Sequence, residues 1–85
     1  MEDNPTVSAH EHCSNNEREL ERSEKCGCFY CLEIYPSSEI NQWIGKRKGF
    51  RTAICPKCGI DSVIGSASGY PLKEHFLQEL NDYWF

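Results

Sequence analysis

Two pairs of cysteines, Cys28-Phe29-Tyr30-Cys31 and Cys55-Pro56-Lys57-Cys58, carry the clearest chemistry in this chain, and 23 residues separate them. Cysteines two residues apart place both sulfurs on one side of a tight turn, and two such turns supply the four thiolates of a tetrahedral zinc site. One structural Zn2+ held by Cys28, Cys31, Cys55 and Cys58 is therefore expected. Four sulfurs leave no coordination position for water, so the site predicts no catalysis. Cys26 stands close by, but four residues separate it from Cys31, which suits a compact knuckle less well. Cys26 and Cys13 are left as spare thiols, the former expected to be partly exposed.

Disulfides are the competing use of six cysteines in a short chain. The start Met1-Glu2-Asp3-Asn4-Pro5 has neither the basic residues nor the apolar run of a secretory signal. A cytoplasmic location is expected, where thiols stay reduced and paired knuckles hold metal. No apolar run approaches the roughly 20 residues of a membrane span.

The elements that deliver these sulfurs must come from little material. Residues 26–85 read as one four-cysteine domain of small α+β type, a double knuckle like a zinc ribbon or treble clef. At about 60 residues, apolar burial alone rarely leaves more than about 3–5 kcal/mol, so metal-dependent folding is expected. Leu32-Glu33-Ile34-Tyr35 leaves the first knuckle as a short strand, and residues 50–54 return as a strand to Cys55. Between them, Ile40, Trp43 and Ile44 at i, i+3 and i+4 predict a short helix over 38–44, ended by Gly45, with Trp43 packed against the knuckles. After Gly59, residues 60–65 suit either a strand, from Val63 and Ile64, or a helix capped by Asp61; the helix is taken forward. Pro71 and the stripe Leu72, Phe76, Leu77, Leu80, Tyr83 and Trp84 predict an amphipathic helix over 71–83.

Charge divides the chain. Residues 1–24 hold two arginines against seven acids, a net of −5, whereas residues 25–85 hold seven bases against six acids, a net of +1. Residues 1–25 are polar with few sizeable apolar groups, and read as an acidic, disordered tail. His10, His12 and Cys13 within it are read as incidental rather than as a second metal site. Lys46, Arg47, Lys48 and Arg51 form the one concentrated basic segment and could grip a phosphate backbone. Tyr70, Tyr83, Trp84 and Phe85 give a surplus of aromatic surface near the C-terminus, which could meet a protein partner. The leading expectation is a structural-zinc module acting as a protein-interaction or regulatory factor, with nucleic-acid binding through loop 46–51 as the alternative.

The stretch from Cys28 to Phe85, above all Cys28-Phe29-Tyr30-Cys31, the run Cys55-Pro56-Lys57-Cys58-Gly59-Ile60-Asp61-Ser62-Val63-Ile64-Gly65, and Ser68-Gly69-Tyr70-Pro71 with Tyr83-Trp84-Phe85, resembles a group of small bacterial zinc-ribbon-like cytoplasmic proteins. The resemblance implies the same four ligands and a bacterial cytoplasm, and no particular activity. A more distant similarity is to the His-Asn-His nucleases, which need a histidine base on the segment between the knuckles. Residues 32–54 contain no histidine, and His75 stands alone on the final helix, so nuclease chemistry is rejected.

Overall fold

The central strand is β1, Lys25–Cys28, which runs into the first knuckle and pairs on both edges. On one side lies β2, Ile34–Pro36, and on the other β5, Val63–Gly65, both antiparallel to it. A second sheet consists of β3, Trp43–Ile44, and β4, Thr52–Ala53. Three helices complete the computed structural model, which describes residues 5–85: α1, Pro5–His10, α2, Glu17–Glu21, and α3, Glu74–Trp84. This is an α+β architecture. Among the described residues no helix is long and apolar enough to cross a membrane.

Strand periodicity explains the burial. Successive side chains point to opposite faces, so Cys26, Cys28 and Val63 enter a core with Tyr35, Ala53 and Cys55. Ile64 enters a second core with Phe29, Phe76, Leu77 and Leu80. The sheet is thus covered on both faces, and all three residues of β5 are buried. Gly27 is what lets α3 approach, because a Cβ there would lie 3.0 Å from the Leu77 side chain.

Three expected elements differ in kind or extent. The helix over 38–44 is instead a single 3-10 turn, Ser37–Glu39, followed by the extended pair Trp43–Ile44. So short a helix gains little for its nucleation cost, while aromatic and β-branched side chains suit a half-buried strand. Trp43 still packs against the metal-side core, as expected. Residues 63–65 are a strand rather than part of a helix, since β5 supplies the backbone partners that one edge of β1 requires. The C-terminal helix begins at Glu74, after Gly69 in the left-handed region at φ +88° and after Pro71.

The larger correction concerns the acidic N-terminal residues. From Pro5 onward they form α1, a 3-10 turn at Glu11–Cys13, and α2, and they bury Ala9, Cys13, Asn16, Glu17, Leu20 and Ser23. Few apolar groups suffice because the attachment is polar. The Asn16 amide donates to the Val63 carbonyl at 2.8 Å and to the His12 carbonyl at 3.0 Å, and its oxygen accepts from the Ala53 N–H at 3.0 Å. The Glu17 carboxylate accepts from the backbone N–H groups of Gly49 and Arg51 and from the Arg51 guanidinium. Gly65 accommodates the segment closely, for a Cβ there would stand 2.3 Å from the Ser23 hydroxyl.

Candidate metal centre

The two knuckles have the same backbone wiring. In the first, the Cys28 N–H donates to the Glu33 carbonyl at 3.0 Å, the Leu32 N–H to the Cys28 carbonyl at 2.8 Å, and the Tyr30 N–H to Cys28 Sγ at 3.4 Å. In the second, Cys55 donates to Ile60 at 2.9 Å, Gly59 to Cys55 at 2.9 Å, and Lys57 to Cys55 Sγ at 3.4 Å. Both turns force a positive φ just past the second cysteine, +80° at Gly59 and +66° at Leu32. Glycine takes that conformation freely, whereas leucine meets steric resistance of about 1–2 kcal/mol.

The turns face each other. Cys28, Cys31, Cys55 and Cys58 lie with their sulfurs all within 4.8 Å of one another, and among the described residues they are the one group of three or more His, Cys, Asp or Glu side chains so gathered. Cys28 and Cys58 approach to 3.6 Å, Cys31 and Cys55 to 3.8 Å. All six cysteines are free thiols. The cluster could hold one metal ion.

Its surroundings suit thiolate ligands. The buried Ser62 hydroxyl is 3.1 Å from Cys28 Sγ. The Tyr35 hydroxyl is buried near Cys55 with no partner at hydrogen-bonding geometry. Burial works against a charged Cys55, but the Tyr35 hydroxyl and the N–H groups of Lys57 and Cys58 outweigh it and bring this thiol below its ordinary range. Burial pushes Cys31 up to about 11 and raises Cys58 as well. A metal would displace those protons, so its binding is pH-dependent. Cys26 is fully buried rather than partly exposed, because its side chain shares the inward face of β1 with Cys28, and burial pushes it up to about 11.

The expected nucleic-acid contacts separate. Lys46, Arg47 and Lys48 are exposed on the loop between β3 and β4, with Arg47 4.4 Å from the Phe50 ring centre. Arg51 is instead bound to Glu17. The expected partner surface also divides. The Tyr70 hydroxyl donates to Ser8 Oγ at 2.6 Å, and the Trp84 ring stacks on His10 at 3.9 Å while its N–H donates to the Thr6 carbonyl. Tyr83 and Phe85 remain 54% and 61% exposed, and Tyr30, not singled out from sequence, joins Phe85 edge-on at 5.0 Å. His75 is exposed beside Glu79, 3.2 Å away. Asn16 and Glu17 were not among the site residues expected from the sequence.

Comparison with protein-family models, with curated proteins and with solved structures yields no match.

Proposed function

We propose that this chain is a structural-zinc module of zinc-ribbon type that works in the bacterial cytoplasm as a non-enzymatic protein-interaction or regulatory factor. The observation that carries it is the sulfur cluster, with contacts of 3.6 and 3.8 Å. Four sulfurs about 2.3 Å from a tetrahedral Zn2+ stand about 3.8 Å apart, and two of the sulfur pairs here are at that separation with all four sulfurs within 4.8 Å of one another. The soft, all-sulfur donor set favours zinc over hard cations. A strand after the second knuckle supports the ribbon form over the treble clef. With the shell filled by thiolates, the metal's role is to hold the fold. Exposed Tyr30, Tyr83 and Phe85 then offer surface for a protein partner.

Purification under reducing conditions is expected to yield one zinc per chain, and Co2+ substitution an intense tetrahedral thiolate spectrum. Zinc content near zero, or a cobalt spectrum unchanged by Cys58→Ser, overturns the metal reading. Loss of a captured protein partner on Tyr30→Ala or Phe85→Ala is the expected signature of the interaction surface. Nucleic-acid binding keeps Lys46, Arg47 and Lys48 in its favour, although Arg51 is already paired. It requires affinity for DNA or RNA that falls steeply with salt.

A further inference from the structure

Beside the first knuckle the chain leaves a cleft of about 220 Å3. Its floor includes Cys13 and Phe29, which are 5% and 1% exposed, and its rim includes His10, Asp61, Trp84 and Phe85. No lysine or arginine lines it. Asp61 is exposed and takes part in none of the ion pairs among the described residues.

These walls select by charge. Aromatic rings carry negative potential on their faces, and a desolvated cation over such a face is attracted, most strongly over tryptophan. A carboxylate at the rim adds attraction of the same sign, while an anion would meet repulsion from Asp61 and find no lysine or arginine. The floor offers no competing charge, because burial keeps the Cys13 thiol protonated and the neighbouring Asp61 charge reinforces this. The rim is held in advance of binding: Trp84 is stacked on His10 at 3.9 Å and tied by its N–H to the Thr6 carbonyl at 2.8 Å. Phe85 lies 5.8 Å from Phe29, ring centre to ring centre. The volume falls below the roughly 300 Å3 at which drug-sized ligand sites begin, so it suits a compact head group.

We propose that this cleft is a binding site for one organic cation, an ammonium or guanidinium group seated against Trp84 and Phe85, over the buried Phe29, with its charge facing Asp61. This goes beyond the interaction reading above, since a free small amine and a basic side chain of a partner protein share this chemistry.

The test uses the full zinc-loaded chain, isotope-labelled for NMR and titrated with choline, with its uncharged carbon analogue 3,3-dimethylbutan-1-ol, and with N-acetylarginine amide. Choline or the arginine derivative is expected to shift the Trp84 indole signal saturably, roughly tenfold more tightly than the uncharged analogue. The tighter of the two cations identifies the source, free amine or side chain. Asp61→Asn, at an exposed position, is expected to weaken the cation about tenfold and leave the uncharged analogue unchanged. Equal binding of choline and its analogue overturns the proposal. So does a Trp84 signal unmoved by both cations, or a cation affinity indifferent to Asp61→Asn. A chain that holds zinc yet shows any of these outcomes separates failure of the cleft from failure of the metal reading.

Discussion

The sulfur cluster and the N-terminal clasp both join distant parts of the chain through polar groups, and they do so by opposite routes. Within each knuckle, the hydrogen bonds that aim the sulfurs span two to five residues, as in Tyr30 N–H to Cys28 Sγ and Cys28 N–H to the Glu33 carbonyl. Local turns build two half-sites, and a metal would join them. In the clasp, Asn16 reaches Ala53 and Val63, 37 and 47 residues away, and so stitches β4 to β5 through their backbone groups. Glu17 likewise seats a loop 32 to 34 residues distant. One region would make long-range order by sharing an ion, the other makes it by completing backbone hydrogen bonds that the sheets leave open.

If that contrast is right, the two regions differ in rank. Removing the metal removes the link between half-sites and leaves four buried or half-buried thiols facing one another. Structural zinc contributes roughly 10–16 kcal/mol in small zinc-finger peptides, more than the about 3–5 kcal/mol a core of this size leaves. Chelation under reducing conditions is expected to abolish the cooperative unfolding transition, followed by near-ultraviolet circular dichroism. A chelated protein that still unfolds cooperatively would make the clasp, not the cluster, the main determinant of the fold.

The clasp comes second. Asn16→Ala leaves the Ala53 N–H and the Val63 carbonyl buried without their side-chain partner. Each such loss costs about 1–3 kcal/mol, so urea unfolding of the zinc-loaded variant is expected to show destabilisation of about 2–6 kcal/mol. A change within about 0.5 kcal/mol, the usual effect of a surface substitution, would mean that residues 5–24 contribute little to the domain.

The same contrast explains what could be read from the sequence. The four-cysteine cluster was legible because its chemistry resides in side-chain type and short spacing, and Gly59 announced its own turn. Leu32 did not, since nothing in a leucine signals a positive φ; the wiring of its knuckle imposes it. The α3 stripe was legible from periodicity, with Phe76, Leu77 and Leu80 buried as expected. The 38–44 segment misled because Ile40, Trp43 and Ile44 fit helical spacing, while the choice of strand comes from pairing with Thr52 and Ala53. The clasp was illegible in principle to arguments from composition. Acidic, polar residues count against burial until the backbone groups they satisfy are known, and those lie dozens of residues away.

The finest probe of the clasp is its charge. The Arg51 guanidinium, helped by the backbone N–H groups of Gly49 and Arg51, holds the Glu17 carboxyl at about 2 against an ordinary 4.5. A carboxyl with a depressed folded value stabilises the fold fully above its unfolded value and loses that contribution as pH falls towards the folded one. The window therefore runs from about 4.5 down to about 2. Any metal bound at the cluster is also released in acid as thiolates regain protons, so the informative quantity is the difference between wild type and Glu17→Gln. Glutamine preserves the shape and can still accept a hydrogen bond, so the variant is expected to lose only the charge-dependent part at neutral pH. The stability gap between the two proteins, measured by urea unfolding at a series of pH values, is expected to be widest above pH 4.5 and to narrow steadily below it. A gap that stays constant down to pH 3 would show that Glu17 acts through shape alone. The clasp would then resemble the knuckles, whose turns also rest on backbone geometry more than on charge.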